Sequence, residues 1–69
     1  MNTNFNPQKY AIRMEINALK HQLRKTDYQA IKFAEGLISA EDYAPIRLQR
    51  QSWRDQINTL EAALNSNEE

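Results

Sequence analysis

The chain has 69 residues, with 9 Lys and Arg against 9 Asp and Glu and no cysteine, so its formal net charge is zero. That length holds one small domain at most, and the charge balance supplies no long-range field for phosphate backbones or anionic lipid. Without cysteine there is no disulfide framework, thiolate metal site or cysteine nucleophile, and a cytosolic setting is the default expectation.

Residues 1–6, MNTNFN, read as an N-terminal arm. The opening MNTNFNPQKY has neither a charged n-region nor an apolar h-region, and no apolar run approaches the roughly 20 residues that span a bilayer. An unprocessed, soluble protein with no membrane association is therefore expected. Asn6 followed by Pro7 marks a helix start: Asn caps free amides, and Pro takes the first helical position, where no N–H is needed. The spacing predicts helix 1 over about residues 7–35, ended by Gly36, the only glycine, which tolerates the left-handed conformation past a helix. Thr26 with Gln29 makes a capping box inside this helix and could restart it. The apolar repeat crosses the point without a change of phase, so a continuous helix is favoured.

Residues 36–39 form the turn. Ser39 with Asp42 resembles a capping box, and Glu41 and Asp42 suit the positive end of a second helix. Helix 2 is expected over about residues 40–64, with 65–69 a frayed polar tail. Pro45 leaves two alternatives. With Ser39 as the cap it falls beyond the first turn and kinks the helix; with Asp42 as the cap it sits in the tolerated first turn.

In helix 1, Ile12, Ile16, Leu19, Leu23, Thr26, Ala30, Phe33 and Leu37 alternate steps of four and three, and in helix 2 Tyr43, Ile46, Arg50, Trp53, Ile57, Leu60 and Leu64 do the same. This is the repeat of a coiled-coil seam. So short a turn makes the helices antiparallel. Counting outwards from it sets Phe33 against Tyr43, Ala30 against Ile46, Thr26 against Arg50, Leu23 against Trp53, and so on to Ile12 against Leu64. The two polar members share one layer, with Asp27 in reach of the cation, so Thr26, Asp27 and Arg50 form a structural polar layer. Such a layer costs stability and fixes register. On the flanks, Asp27 falls near Arg47 and Arg13 near Glu61, while Lys20 and Arg54 make a like-charged pair. Snorkelling of Arg50 to solvent beside Trp53 is the plainer alternative.

A lone hairpin of this size buries little, and apolar residues are left over: Tyr10, Met14, Tyr28 and Ile31 on helix 1, with Leu48 and Ala44 on the matching side of helix 2. Scattered surface hydrophobes are common, but large ones repeated at helical spacing more often mark a contact surface. Tyr10, Met14, Tyr28, Ile31 and Leu48 are the candidate partner-binding face, covered by self-association or by another protein.

Little in the chain suggests chemistry. His21, the only histidine, has Asn17 and Lys25 as its neighbours at four residues, so a solvated side chain is favoured over a metal ligand. Ser39, Ser52 and Ser66 have no partner that would orient a nucleophile, and adjacent Glu41 and Asp42 diverge on a helix. One glycine makes no phosphate loop. No catalytic residue, cofactor or metal is expected. Lys20, Arg24, Lys25 and Lys32 around Tyr28 form a basic face that could meet nucleic acid, but a solvated coiled-coil exterior has the same composition, and zero net charge favours the latter.

The block TDYQAIKFAEGLISAEDYAPIRLQRQSWRDQINTLE, roughly half of the chain, resembles segments of short phage and prophage proteins that carry a DY, IK, AEG, EYA, QR, WR, EIN, LE pattern. The matching residues are Asp27, Tyr28, Ile31, Lys32, Ala34, Glu35, Gly36, Glu41, Tyr43, Ala44, Gln49, Arg50, Trp53, Arg54, Ile57, Asn58, Leu60 and Glu61. The resemblance implies a phage-related origin and a tail-associated or accessory helical role, with no catalytic residues to carry over. The combined expectation is an all-α, antiparallel two-helix hairpin, coiled-coil-like and completed by oligomerisation. It acts as a non-catalytic protein-interaction module in the virion or in the host cytoplasm. A virion or tail assembly component comes first, a small inhibitor of a host protein second and a nucleic-acid-binding regulator third.

Overall fold

The computed structural model describes residues 6–66; the first five residues of the expected arm over residues 1–6 and the last three residues of the expected tail lie outside the described residues. Two helices, α1 (Pro7–Ala34) and α2 (Ala40–Ser66), pack against each other as an all-α hairpin. The molecule measures 56 × 18 × 14 Å, which is one pair of helices wide and one helix thick.

Each end of α1 is closed by the chemistry its sequence supplies. The Asn6 side chain accepts from the backbone N–H groups of Gln8 at 2.9 Å and Lys9 at 3.1 Å, with Pro7 behind it. At the other end Gly36 takes φ 79°, Leu37 N–H donates to Lys32 O at 2.8 Å and Gly36 N–H to Phe33 O at 3.0 Å. These two crossed bonds form a Schellman motif, with Glu35 as the capping residue just outside the helix. The reversal at Gly36 throws Leu37 out of the apolar stripe to which simple counting assigns it. It is 64% exposed, whereas Ile38 is half-buried.

Helix α1 runs through Thr26 without a break. A cap there would need Thr26 in an extended conformation, with its hydroxyl turned to amides ahead. The hydroxyl instead lies back against Leu23 O at 2.9 Å and Gln22 O at 3.2 Å, the bond a Thr makes inside a helix.

The Pro45 alternatives are decided by Ser39. Its Oγ accepts from Asp42 N–H at 3.0 Å and its carbonyl from Tyr43 N–H at 3.0 Å, which makes Ser39 the cap and places Pro45 inside α2. The Glu41 carbonyl therefore lacks the amide that would bond it four residues on. Both Glu41 and Pro45 are exposed, so water reaches that carbonyl and the helix continues. Asn65 and Ser66, expected in the tail, extend α2.

The core is thin. Only Ile16, Tyr43 and Ile57 are buried among the described residues, the most enclosed being Ile16 at 6% exposure. Ile12, Leu19, Leu23, Ile46, Trp53, Leu60 and Leu64 are half-buried along the same line, so the seam read from the sequence is the line of contact. Towards the turn the Phe33 and Tyr43 rings stack, with centroids 4.6 Å apart and planes 7° from parallel. The Arg47 guanidinium lies 5.3 Å from the Phe33 ring and 5.6 Å from that of Tyr43.

Because Pro45 removes one helix bond and is itself exposed, Pro45→Ala is expected to raise stability by about 1–3 kcal/mol. Urea unfolding should show a higher midpoint at an unchanged slope; a lower midpoint would mean that the proline's restriction of the unfolded chain dominates.

Candidate functional site

Two places could carry function, and they lie on opposite sides of α1. The first is the polar layer inside the seam. Arg50 Nη1 donates to Thr26 Oγ1 at 2.7 Å and to Leu23 O at 2.9 Å, and lies 3.1 Å from Asp27 Oδ1. The sequence pairs Arg50 with Thr26 and Asp27, and the structure brings these three together; the Leu23 carbonyl is an acceptor that residue counting misses. The geometry uses each group economically. The Thr26 hydroxyl donates backward into its own helix, which leaves its lone pairs for the guanidinium. Asp27 is 53% exposed and closes the layer towards solvent, while Arg50 is only 13% exposed. A charge so enclosed is tolerated because charge-assisted bonds replace its hydration. No side-chain nitrogen or oxygen among the described residues is buried without a partner.

The second place is the outer face of α1. Tyr10, Met14, Tyr28 and Ile31 are all exposed, Tyr28 at 66%. With Asn17, His21 and Arg24 between them, these residues follow steps of four and three from position 10 to position 31, a second stripe of coiled-coil spacing about 32 Å long. The spacing was legible in the sequence, but the three polar members disguise it. Lys32 Nζ sits 5.2 Å over the Tyr28 ring and covers one face of it.

Leu48 does not belong with these residues. It is 71% exposed, and at two residues from each of the seam residues Ile46 and Arg50 it lies opposite them on the helical wheel, so it projects from α2 directly away from α1. The candidate face read from the sequence is thus two surfaces on opposite sides of the hairpin, and α1 carries nearly all of it. The outer face of α2 is polar and satisfies itself. Gln51 Nε2 donates to Asp55 Oδ1 at 2.9 Å, Arg54 Nη2 to Gln51 Oε1 at 3.1 Å and Gln56 Nε2 to Ser52 Oγ at 3.1 Å.

The expected flanking ion pairs fall differently. Arg47 lies over the Phe33–Tyr43 stack instead of near Asp27, and Glu61 meets Lys20 at 4.0 Å instead of Arg13. Side chains on a helix lean towards its N-terminus. In an antiparallel pair, Lys20 and Glu61 therefore lean towards each other, whereas Asp27 and Arg47, or Arg13 and Glu61, lean apart. The same divergence separates like-charged Lys20 and Arg54. The Lys20–Glu61 pair is half exposed on both sides and adds little stability.

His21 is exposed, and no cluster of three or more His, Asp or Glu among the described residues could hold a metal ion. A shallow depression of about 290 Å³, lined by Glu15, Asp55, Gln56, Thr59 and Leu60, opens along one side of the seam. It brings two carboxylate residues near the exposed Thr59 and a half-buried leucine, and no histidine, lysine or arginine lines it. No helix among the described residues is long and apolar enough to cross a membrane. Compared with protein-family models, with curated proteins and with solved structures, the chain matches none of them.

The polar layer predicts opposite outcomes for two substitutions. Thr26→Val removes an acceptor from an enclosed cation and should cost about 1–2 kcal/mol in urea unfolding. Arg50→Met removes the charge with its desolvation cost, and stability should stay within about 1 kcal/mol of the parent or exceed it. If the layer aligns the helices, Arg50→Met alone should also broaden the association states seen by sedimentation; a single unchanged species would remove that role.

Proposed function

We propose that this chain is a non-catalytic protein-interaction module in which α2 braces α1 and α1 presents its outer face to a protein partner. The carrying observation is the asymmetry of the two outer faces. Met14, Tyr28 and Ile31 stand exposed in register on α1, while the outer face of α2 beyond Leu48 is built of polar groups bonded to one another. Exposed aromatic and aliphatic side chains aligned over several turns are the usual make-up of a helix that docks. A thin core supports the same reading, because a hairpin with three buried residues among those described gains stability from whatever covers its other face. Oligomerisation is one way to provide that cover.

The resemblance to phage and prophage segments supports a phage-linked setting, with the chain acting as a virion or tail assembly component or as a free inhibitor of a host protein. Mass spectrometry of purified particles separates these two, since only the first places the chain in the particle.

The interaction itself is tested by photo-crosslinking in the native cell, with benzoylphenylalanine at Tyr28 in one version of the full chain and at Ser52 in another. A discrete protein adduct is expected from Tyr28 and none from Ser52. Adding Ile31→Glu to the Tyr28 version should cut the adduct at least about tenfold with helicity by circular dichroism unchanged. Equal adducts from both positions, or an adduct indifferent to Ile31→Glu, would remove the face from consideration.

A further inference from the structure

The stripe on α1 also carries information about what covers it, and the following rests on the interaction reading above. We infer that the occupant is an acidic amphipathic helix of another protein, lying along α1 with its apolar residues between Met14, Tyr28 and Ile31 and its carboxylates against the cations on either border.

The shape of the stripe selects a helix. Steps of four and three persist over six intervals, so the stripe drifts only about 20° per heptad around α1 over about 32 Å, a slow winding that a second helix follows by supercoiling, its knobs filling the holes between stripe residues. An extended segment places side chains on one face every second residue and does not follow such a line.

The borders select the charge. Arg13 and Lys20 lie along one side of the stripe, Lys25 and Lys32 along the other, and Arg24 within it. Asp27 is the one acid on either border, and Arg50 already holds it at 3.1 Å. Glu15 lies away from the stripe, in the depression beside Asp55 and Gln56. Lys20 reaches Glu61 only at 4.0 Å, and Arg13, Arg24 and Lys25 have no acidic partner among the described residues. A docking helix therefore meets a cationic frame on both sides, which attracts carboxylates and repels lysine.

A second copy of the chain fits this frame poorly. Two α1 helices would bring the same cations together, and α2 offers Leu48 as its one strongly exposed large hydrophobe among the described residues. Nucleic acid fits poorly as well. Apolar side chains hold much of the line where phosphates would need cations, and the formal net charge of the chain is zero.

The test uses the full chain and two labelled synthetic peptides of about 24 residues. Both carry leucine at steps of four and three; one has glutamate and the other lysine at the bordering positions. Fluorescence anisotropy should show the glutamate peptide binding at least about tenfold more tightly, with a preference that shrinks between low salt and about 0.3 M salt. Met14→Glu and Ile31→Glu should each weaken it at least about tenfold, Ser52→Glu should leave it unchanged, and Arg24→Glu with Lys25→Glu should narrow or reverse the preference. All variants should keep the parent's helicity. The proposal is overturned if the lysine peptide binds as well, if a DNA duplex displaces the glutamate peptide, or if the chain sediments as a dimer that Met14→Glu dissociates. If the Tyr28 adduct depends on Ile31 while the glutamate peptide fails to bind, a protein of other chemistry uses the face and only this proposal falls. If the adduct is absent and neither peptide binds, the interaction reading falls with it.

Discussion

The contact of Arg50 with Thr26, the Leu23 carbonyl and Asp27 is the one contact within the seam whose chemistry distinguishes one register of the two helices from another. Every other layer of the seam is apolar and about equally content with any apolar neighbour, so hydrophobic burial alone would pair the helices without aligning them. Sliding by one heptad would set Arg50 against Leu19 or Phe33, with its charge enclosed and its acceptors gone. The cost of an unpaired, mostly buried guanidinium is several kcal/mol, large against the few kcal/mol that so small a core supplies. The layer thus contributes by making the alternatives worse, and its own net stabilisation is small.

Two further pins act at the ends of the register. The Schellman turn at Gly36 and the cap at Ser39 leave only five residues between the helices, so Phe33 and Tyr43 are forced into stacking distance as the first layer above the turn. Arg47, one turn beyond Tyr43 on its own helix, closes over both rings. A turn and a polar layer about ten residues apart make the pairing well defined along half of the hairpin. From there the apolar layers out to Ile12 and Leu64 follow the same count. The result is an unbroken α1 whose far face is held at a fixed orientation, although the hairpin encloses very little.

How much of this was legible in the sequence depends on which physical rule each feature obeys. The seam, the two caps of α1 and the pairing of Arg50 with Thr26 follow from periodicity and from residues whose backbone or side-chain chemistry has few uses: Asn before Pro, a lone Gly, an arginine in an apolar stripe. The ion pairs were not legible from counting, because counting ignores the lean of side chains towards each helix N-terminus, and that lean decides whether flanking groups at one level converge. Leu37 was misplaced for a related reason: periodicity was carried one step past Gly36, where the backbone changes hand. The fate of Pro45 hinged on which of two residues caps α2, and that depends on hydrogen-bond geometry which both candidates could have supplied. The outer stripe was half seen. Its hydrophobes are legible as apolar residues off the seam, but on two helices that face each other the off-seam sides point in opposite directions, so Leu48 on α2 cannot share a face with Tyr28 on α1.

The angle between the two stripes on α1 constrains any assembly built on it. At 100° per residue, the seam centred on Ile16 and Leu19 and the outer stripe centred on Met14 and Ile31 lie roughly 150° apart around the helix axis. In a compact bundle the two neighbours of a helix also touch each other, which requires their contact lines to be much closer together than this. A helix docked on the outer stripe would instead lie on the far side of α1 from α2, giving a flat layer of three helices with α1 in the middle. Such a partner would touch α2 nowhere, so α2 would affect its affinity only by holding α1 helical. The polar, self-bonded outer face of α2 fits that division of labour, because nothing in such a layer needs to cover it.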